Sequence, residues 1–284
     1  MLLAAAASAG GFVVLLLLAY YAYPASWVDA AALHGFISVA EDHQRIAATA
    51  HDIARVCDVL PYFAIALATI AAAFKTRGPR TGAAVTLLLV AANVSSQSLK
   101  PLLAHHRETY YTHWHINNLA DASLPSGHAT AAMAISLAIL MIVPPAFRLL
   151  TAAIGAAFTI AVSFSLVGLG WHFPSDVVCG FLAATTWALA VQAGLTYANE
   201  RWPEKGTMRT KARQAINPPR PATIAVTLLA LAGVAIGVAL SRAEQLAHFA
   251  DRHTAAAAVA SAIAVAATVL LAAVAALSSR RSSR

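Results

Sequence analysis

The chain has 284 residues, of which 60% are apolar and 11% charged, and its mean hydropathy is +0.68. A soluble domain carries about a quarter charged residues, so this composition excludes a soluble globular protein and indicates a polytopic membrane protein. The net charge of +7 would suggest nucleic-acid binding in a soluble protein. Here its distribution is explained by membrane topology, and we predict no nucleic-acid partner.

Eight apolar segments are long enough to cross a bilayer, which takes about 20 residues per helix. They are 2–23, 54–74, 82–103, 127–149, 151–170, 177–197, 222–241 and 255–277. The first has no preceding Lys or Arg and no convincing cleavage site, so it is predicted to be a retained helix rather than a signal peptide. We therefore predict an all-α, polytopic membrane helix bundle with a six-helix core over 1–198, a basic loop over 199–221 and a C-terminal hairpin and tail over 222–284.

Most of the 19 basic residues fall in the loops and tail on the side of the N-terminus. Cytoplasmic loops carry an excess of Lys and Arg, so this bias predicts the orientation of the bundle. The opposite ends of the helices then face away from the cytoplasm. The alanine-rich, highly apolar helices favour a bacterial inner membrane.

The connection over 24–53 acquires helical periodicity towards its end, where apolar residues recur at steps of three and four. The stripe consists of Ile46, Ala50, Ile53, Cys57 and Leu60. It predicts a surface-lying connector or, as an alternative, an interfacial helix that lines lipid entry. Histidines at 34, 43 and 51 lack the spacing of a metal site, and Cys57 and Cys179 are predicted to be two buried thiols rather than a disulfide.

A histidine and an aspartate begin the sixth segment. His172 and Asp176 are four residues apart, so on a helix that starts near Pro174 they share one face. The carboxylate would then fix the tautomer of the imidazole and leave its second nitrogen free to act as a nucleophile. The alternative is a helix-capping acid beside an interfacial histidine.

A second histidine begins the fourth segment, after Pro125, Ser126 and Gly127. These are residues typical of a helix start, where free N–H groups and the helix dipole favour an anion. His128 in that position would protonate a leaving oxygen. The alternative is an ordinary capped helix with an interfacial histidine, which the tetrapeptide taken alone slightly favours.

Two cations precede this motif. Lys100 ends an apolar span, where a lysine is costly without a partner, and Arg107 follows two helical turns later. Both would converge on one anion, as phosphoryl transfer requires, or they would simply snorkel to the interface. Four further histidines crowd the same loop, but their spacing fits no recognised zinc site, so we predict no metal ion and no cofactor. They are His105, His106, His113 and His115.

Together these motifs resemble the type-2 phosphatidic-acid phosphatase family, also called lipid phosphate phosphatases, whose signature is K-x6-R-P, P-S-G-H and S-R-x5-H-x3-D. Lys100 to Arg107, Pro125 to His128, and His172 with Asp176 match it in order and spacing. The resemblance implies that His172 carries a phosphohistidine, that Asp176 orients it and that His128 acts as acid and then base. It also implies phosphoryl binding by Lys100, Arg107, Ser126 and Gly127, without a metal ion.

Two positions depart from the signature. Leu166 stands where the family has an arginine, and Glu108 replaces its proline. Losing one preorganised donor to transition-state charge costs about 10²–10³ in rate, unless His105, His106 or Arg45 substitutes for it.

The resemblance predicts an integral-membrane phosphatase that hydrolyses a lipid phosphate or diphosphate at the outer membrane face. Candidate substrates are an isoprenoid diphosphate, phosphatidic acid and phosphatidylglycerophosphate, and membrane lipids are the predicted surroundings. The alternatives are a lipid phosphotransferase with the same intermediate, a catalytically weak or silent lipid-binding relative, and, less favoured, a transporter.

Overall fold

The computed structural model describes residues 1–107, 121–203 and 243–279, and every regular element in these ranges is helical. The α-helices are α1 (Leu2–Tyr21), α2 (Tyr23–Asp42), α3 (Gln44–Arg55), α4 (Val59–Arg77), α5 (Pro79–Leu102), α6 (Gly127–Ile142), α7 (Arg148–Gly168), α8 (Pro174–Arg201), α9 (Ala243–Arg252) and α10 (Thr254–Ser279). This architecture confirms the predicted all-α, polytopic bundle. The predicted span 222–241, nearly all of the loop over 199–221 and the end of the tail lie outside the described residues, so the predicted division of the chain into three parts stays a prediction.

Six of the described helices are long and apolar enough to cross a membrane. They are α1, α4, α5, α7 with its preceding short 3₁₀ turn, α8 and α10. The fourth predicted span, 127–149, is shorter than expected, because α6 ends at Ile142, just before Pro144 and Pro145. Prolines lack the N–H that would continue a helix. At about 1.5 Å per residue, α6 falls short of a full bilayer crossing.

α2 is an element that the sequence did not predict. Ala22 is extended and separates it from α1, and the connection expected over 24–53 is in fact two helices, α2 and α3. α2 packs against α1, α7, α8 and α10. A Cβ placed on Gly35 of α2 would lie 2.6 Å from the Ala256 Cβ at the start of α10. α2 therefore lies across one end of the bundle.

α3 confirms that the end of the connection is helical, although its buried face is narrower than predicted. Ala50, Ala54 and Cys57 are buried, whereas Ile46 and Leu60 are exposed. The helix packs on α7. The predicted stripe was therefore wrong at its two ends, because Leu60 belongs to the next helix, whose outward face begins there.

The core of the bundle is built around α6, which packs against α5, α7 and α8. Eleven of its 16 residues are buried, and many of these are small. Gly155 of α7 and Gly180 of α8 both face it closely: a Cβ on Gly155 would lie 2.9 Å from Ser136 Cβ, and one on Gly180 would lie 2.9 Å from the Ser126 carbonyl oxygen. Small residues allow such close helix approach inside a membrane.

The two ends of the bundle differ in chemistry. At one end, Arg77 donates to the Ile142 carbonyl, Arg80 to the Trp202 carbonyl, and Arg148 to Ser279. The opposite end gathers the C-terminal ends of α1, α5 and α7 and the N-terminal ends of α4, α6, α8 and α10. All the described residues of the three sequence motifs lie at or near this second end.

Candidate active site

The start of α8 holds the predicted histidine–aspartate pair. Phe173 is extended, Pro174 is the first helical residue, and Asp176 follows in the first turn. Asp176 Oδ2 accepts the Phe173 backbone N–H at 3.0 Å and lies 3.4 Å from His172 Nδ1. Asp176 is fully buried and His172 is 7% exposed. The carboxylate thus holds one ring nitrogen of His172 and leaves Nε2 for other contacts.

The start of α6 lies directly against the start of α8. Ser126 caps α6 by accepting the Ala129 N–H at 3.3 Å, as a serine at this position is expected to do. The Ser126 N–H itself donates to the Asp176 carbonyl at 2.9 Å. One backbone hydrogen bond therefore joins the two histidine motifs.

His128 is held by a residue that the sequence did not indicate. Its Nε2 lies 2.9 Å from Oδ1 of Asp58, the residue just before α4. Its ring centroid is 5.9 Å from that of Trp171, which in turn is 5.2 Å from His51. The residues next to Asp58 in the sequence gave no indication of this contact, because it depends on the packing of α4 beside α6.

Lys100 reaches the start of α6 from the end of α5. Its Nζ would lie 3.8 Å from a Cβ on Gly127, and Gln97 Nε2 would lie 2.8 Å from that Cβ. The absence of a side chain at Gly127 thus leaves room for both polar side chains beside the helix start. Burial lowers the pKa of His172, and the charges of Lys100 and His128 lower it further against the opposing effect of Asp176.

Arg107 is buried and bonded to carboxylates rather than free. Its Nη1 donates to Asp29 Oδ2 at 2.8 Å and to Ser175 Oγ at 3.0 Å, and its Nη2 donates to Asp176 Oδ1 at 2.5 Å. Its guanidinium carbon lies 4.4 Å from the centre of the Phe173 ring. Burial works against the charged form, but Asp176 and Asp29 outweigh it and raise the pKa of Arg107.

Asp29 is the second residue that the sequence analysis missed. It lies on α2, is 7% exposed, and accepts the Ser175 N–H at 2.9 Å and the Ser175 hydroxyl at 2.6 Å. Burial raises the pKa of Asp29 to about 6, and Arg107 opposes this rise. The signal available in the sequence was a lone carboxylate between Trp27 and Leu33, in an otherwise apolar stretch.

Leu166 is fully buried near the end of α7, and its carbonyl accepts the Trp171 N–H at 3.0 Å. A leucine thus stands, fully buried, where the family has an arginine. His105 stacks on Tyr20 with ring centroids 4.7 Å apart, and His106 Nδ1 lies 3.0 Å from Asp121 Oδ1. Both histidines line a cavity of about 240 Å³ beside Arg107 and Asp29.

Several other predicted residues lie apart from this cluster or outside the described ranges. Cys57 and Cys179 are free and buried, as predicted. In residues 1–107, 121–203 and 243–279 no group of three or more His, Cys, Asp or Glu side chains is arranged to hold a metal ion. Arg45 is exposed on α3. Glu108, His113 and His115 lie outside the described residues.

The fold and the cluster define an integral membrane protein, a helical bundle with a paired-histidine site at one end of its helices. Residues 62–200 match the family model of the PAP2 superfamily, which confirms the resemblance to type-2 phosphatidic-acid phosphatases. The match supports a phosphatase-type membrane protein. No curated protein and no solved structure matches it. The matched range includes all three motifs, whereas Asp29 and Asp58 lie before it.

Proposed function

We propose that the protein hydrolyses a lipid phosphate or diphosphate through a phosphohistidine on His172. The observation that carries the proposal is the junction of the two helix starts. The Ser126 N–H bonds the Asp176 carbonyl, while the Asp176 side chain holds His172. This junction brings a nucleophile with its orienting acid next to a helix N-terminus that favours a phosphoryl group.

In the first step, His172 Nε2 attacks phosphorus, an N–P bond forms, and the P–O bond to the lipid breaks. Asp176 accepts a hydrogen bond from the ring Nδ1–H, which stays on the ring, and its negative charge stabilises the positive charge that develops there. His128 supplies the proton that the leaving oxygen needs. The lowered pKa of His172 favours the neutral, nucleophilic ring at neutral pH.

In the second step, His128 takes a proton from water, whose oxygen attacks phosphorus as the N–P bond breaks. Inorganic phosphate leaves and His172 is restored. Lys100, Arg107, Ser126 and the Gly127 amide hold the phosphoryl oxygens in both steps, since positive groups and N–H donors lower the energy of the charged transition state. Arg107 does so while it remains bonded to Asp29 and Asp176.

The substrate is proposed to be an isoprenoid diphosphate, phosphatidic acid, phosphatidylglycerophosphate or a similar lipid phosphate. A site at the ends of apolar helices is accessible to a headgroup whose acyl or prenyl chain stays in the bilayer. The basic residues at the opposite end support a site that faces away from the cytoplasm, by the positive-inside rule. In a bacterial inner membrane this side is the periplasm.

A catalytically weak, lipid-binding protein is the second candidate, and one observation favours it. Leu166 supplies no cation, and the guanidinium of Arg107 is already paired with two carboxylates. The site therefore has less free positive charge than the family signature implies. A phosphotransferase would use the same phosphohistidine with an acceptor other than water.

Phosphate release from purified protein in detergent tests the proposal. The assay uses phosphatidic acid and an isoprenoid diphosphate, each with and without a chelator. We expect release that is insensitive to chelator and lost in His172→Ala, but kept in His43→Ala, a matched change at an exposed histidine. No release from either lipid would favour the silent protein, chelator-sensitive release would indicate a metal ion, and phosphate transfer to an added alcohol would favour the phosphotransferase.

A further inference from the structure

We propose that Asp29 is a positioning residue of the site, which holds Arg107 and the start of α8 in the geometry that phosphoryl transfer requires. This inference rests on the proposed function and deepens it. Asp29 comes from α2, before the range that the family model matches. It contacts none of the proposed reacting groups and would act through Arg107 and Ser175.

Asp29 accepts three hydrogen bonds from two residues of the site. One oxygen accepts the Ser175 N–H at 2.9 Å, and the other accepts the Ser175 hydroxyl at 2.6 Å and Arg107 Nη1 at 2.8 Å. Both carboxylate oxygens are used, and the side chain is almost fully buried. A buried carboxylate is costly unless it is paired in this way.

A chain of hydrogen bonds connects Asp29 to the nucleophile His172. Arg107 bonds Asp29 through Nη1 and Asp176 Oδ1 through Nη2, and Asp176 Oδ2 faces His172. Asp29 thus shares the positive charge of Arg107 with Asp176. Without the negative charge of Asp29, the Arg107 guanidinium would neutralise the negative charge of Asp176 more fully. Asp176 would then stabilise the positive His172 ring less.

Arg107 is contacted by residues from several elements of the fold. Arg107 lies between the Tyr20 ring of α1 and the Phe173 ring before α8, with its guanidinium carbon 4.9 and 4.4 Å from their centres. Asp29 adds α2 to this contact. The guanidinium is therefore held from three elements. Among residues 1–107, 121–203 and 243–279, Asp29 is the carboxylate outside the family motifs that bonds it.

The test compares Asp29→Asn with the wild type, and uses Asp42→Asn, an exposed position on the same helix, as the matched control. We expect Asp29→Asn to lower kcat roughly 10- to 100-fold. Removal of a direct donor to the transition state lowers kcat about 10²–10³-fold, and the effect of Asp29 should be smaller because it acts through Arg107. KM should change by less than about threefold, since the interaction acts on the transition state. Equal kcat in Asp29→Asn and wild type would overturn the inference.

A pH profile separates a charge-dependent role from a merely structural one. The charged or titratable groups facing Asp29 are Tyr20 from α1, His105, His106 and Arg107 after α5, and Asp176 and Cys179 from α8. All of them are retained in Asp29→Asn. The ratio of wild-type to Asp29→Asn kcat should therefore fall towards ~1 as pH drops through about 6, where Asp29 becomes protonated. A ratio that stays constant with pH would contradict a role for the charge.

Two further measurements keep the inference testable if turnover or folding fails. Orthovanadate resembles the phosphoryl transition state, so its stabilisation of the wild type against heat should need roughly tenfold more vanadate in Asp29→Asn. Wild type that binds vanadate without releasing phosphate overturns the proposed function alone, and equal vanadate affinity overturns the Asp29 inference alone. Wild type that neither binds vanadate nor turns over overturns both. If Asp29→Asn does not fold, Ser175→Ala breaks the same network, and unchanged kcat there would count against the inference.

Discussion

Asp58 and His128 are 70 positions apart in the chain, yet their side chains meet at 2.9 Å, Oδ1 to Nε2. Asp58 precedes α4 and His128 begins α6, so the contact joins two helix starts at the site end of the bundle. His128 is about one-quarter exposed and Asp58 about half. The nitrogen that faces Asp58 is fixed, and Nδ1 is left to exchange a proton with a leaving group or with water.

We expect Asp58→Asn to lower kcat about tenfold, a fraction of the 10²–10⁴ that general acid–base catalysis supplies. The amide that replaces the carboxylate would still occupy the position. Its oxygen, however, would accept the hydrogen bond from His128 Nε2 without the full negative charge of the carboxylate. Phosphate release under saturating lipid measures the effect. Asp52→Asn, at an exposed residue paired with Arg55, should leave kcat unchanged, and equal losses in the two variants would refute the role of Asp58.

Gly180→Ala tests whether the contact between α6 and α8 sets the site. The new Cβ would lie 2.9 Å from the Ser126 carbonyl oxygen and 3.0 Å from the Thr130 nitrogen. Both are backbone atoms, so the helices must separate, which costs about 1–3 kcal/mol. We expect a lower melting temperature in detergent together with reduced phosphate release.

Gly194→Ala on the same helix is the matched control for this change, because nothing lies within 4 Å of its new Cβ. It should match the wild type in stability and in rate. A Gly180→Ala protein that also matches the wild type would show that the helix contact does not position the histidines.

Leu166→Arg asks whether the missing cation can simply be restored. Leu166 is fully buried in the apolar core, and the carboxylates Asp29 and Asp176 already bond Arg107. A new guanidinium would enter the core without a free partner, which is strongly unfavourable. We therefore expect a lower melting temperature and no gain in phosphate release.

Leu166→Met is the control, since a volume-conserving apolar change costs less than about 1.5 kcal/mol. An increase of phosphate release in Leu166→Arg by tenfold or more would contradict the expectation. It would mean that the site accommodates a further cation after all.

The buried Asp29 predicts a specific pH dependence of stability. Its pKa is about 6 in the folded protein and near 3.8 when unperturbed, so the folded state keeps a proton that the unfolded state has lost. The contribution of Asp29 to the free energy of unfolding is therefore fully present below pH ~4 and is lost as pH rises through ~6. The change is about 3 kcal/mol. His172, whose pKa is lowered, contributes with the opposite sign.

Comparison with Asp29→Asn isolates the contribution of Asp29. The melting temperature of the wild type relative to this variant should fall between pH ~4 and ~6. A relative melting temperature that is flat over this window would show that Asp29 does not titrate there.

The sequence predicted those parts of the site that depend on local geometry. His172 and Asp176 are one helical turn apart, so their spacing alone was sufficient to pair them. Ser126 caps its own helix, so its position before the apolar run was sufficient to place it. The transmembrane helices followed from apolar length in the same way. Pro144 and Pro145 in the sequence also indicated that α6 would end before them, although the predicted span ran past them.

The remaining features depend on contacts between distant segments. Asp58 meets His128, and Asp29 meets Arg107, only because α4 and α2 pack against the site end of the bundle. α2 itself was not predicted as a helix, because Asp29, His34 and its acidic end interrupt the apolar pattern. The neutralisation of Arg107 by two carboxylates could not be predicted without knowing that α2 crosses this end.

The most direct test of the central claim is to trap the phosphorylated protein. Purified wild type is mixed with phosphatidic acid or an isoprenoid diphosphate carrying a radiolabelled phosphate, quenched within one turnover, and digested for peptide mapping. We predict an acid-labile, base-stable label on the peptide that contains His172, and no such label in His172→Ala. Phosphate release with no label on His172, or a label that persists in His172→Ala, would contradict it.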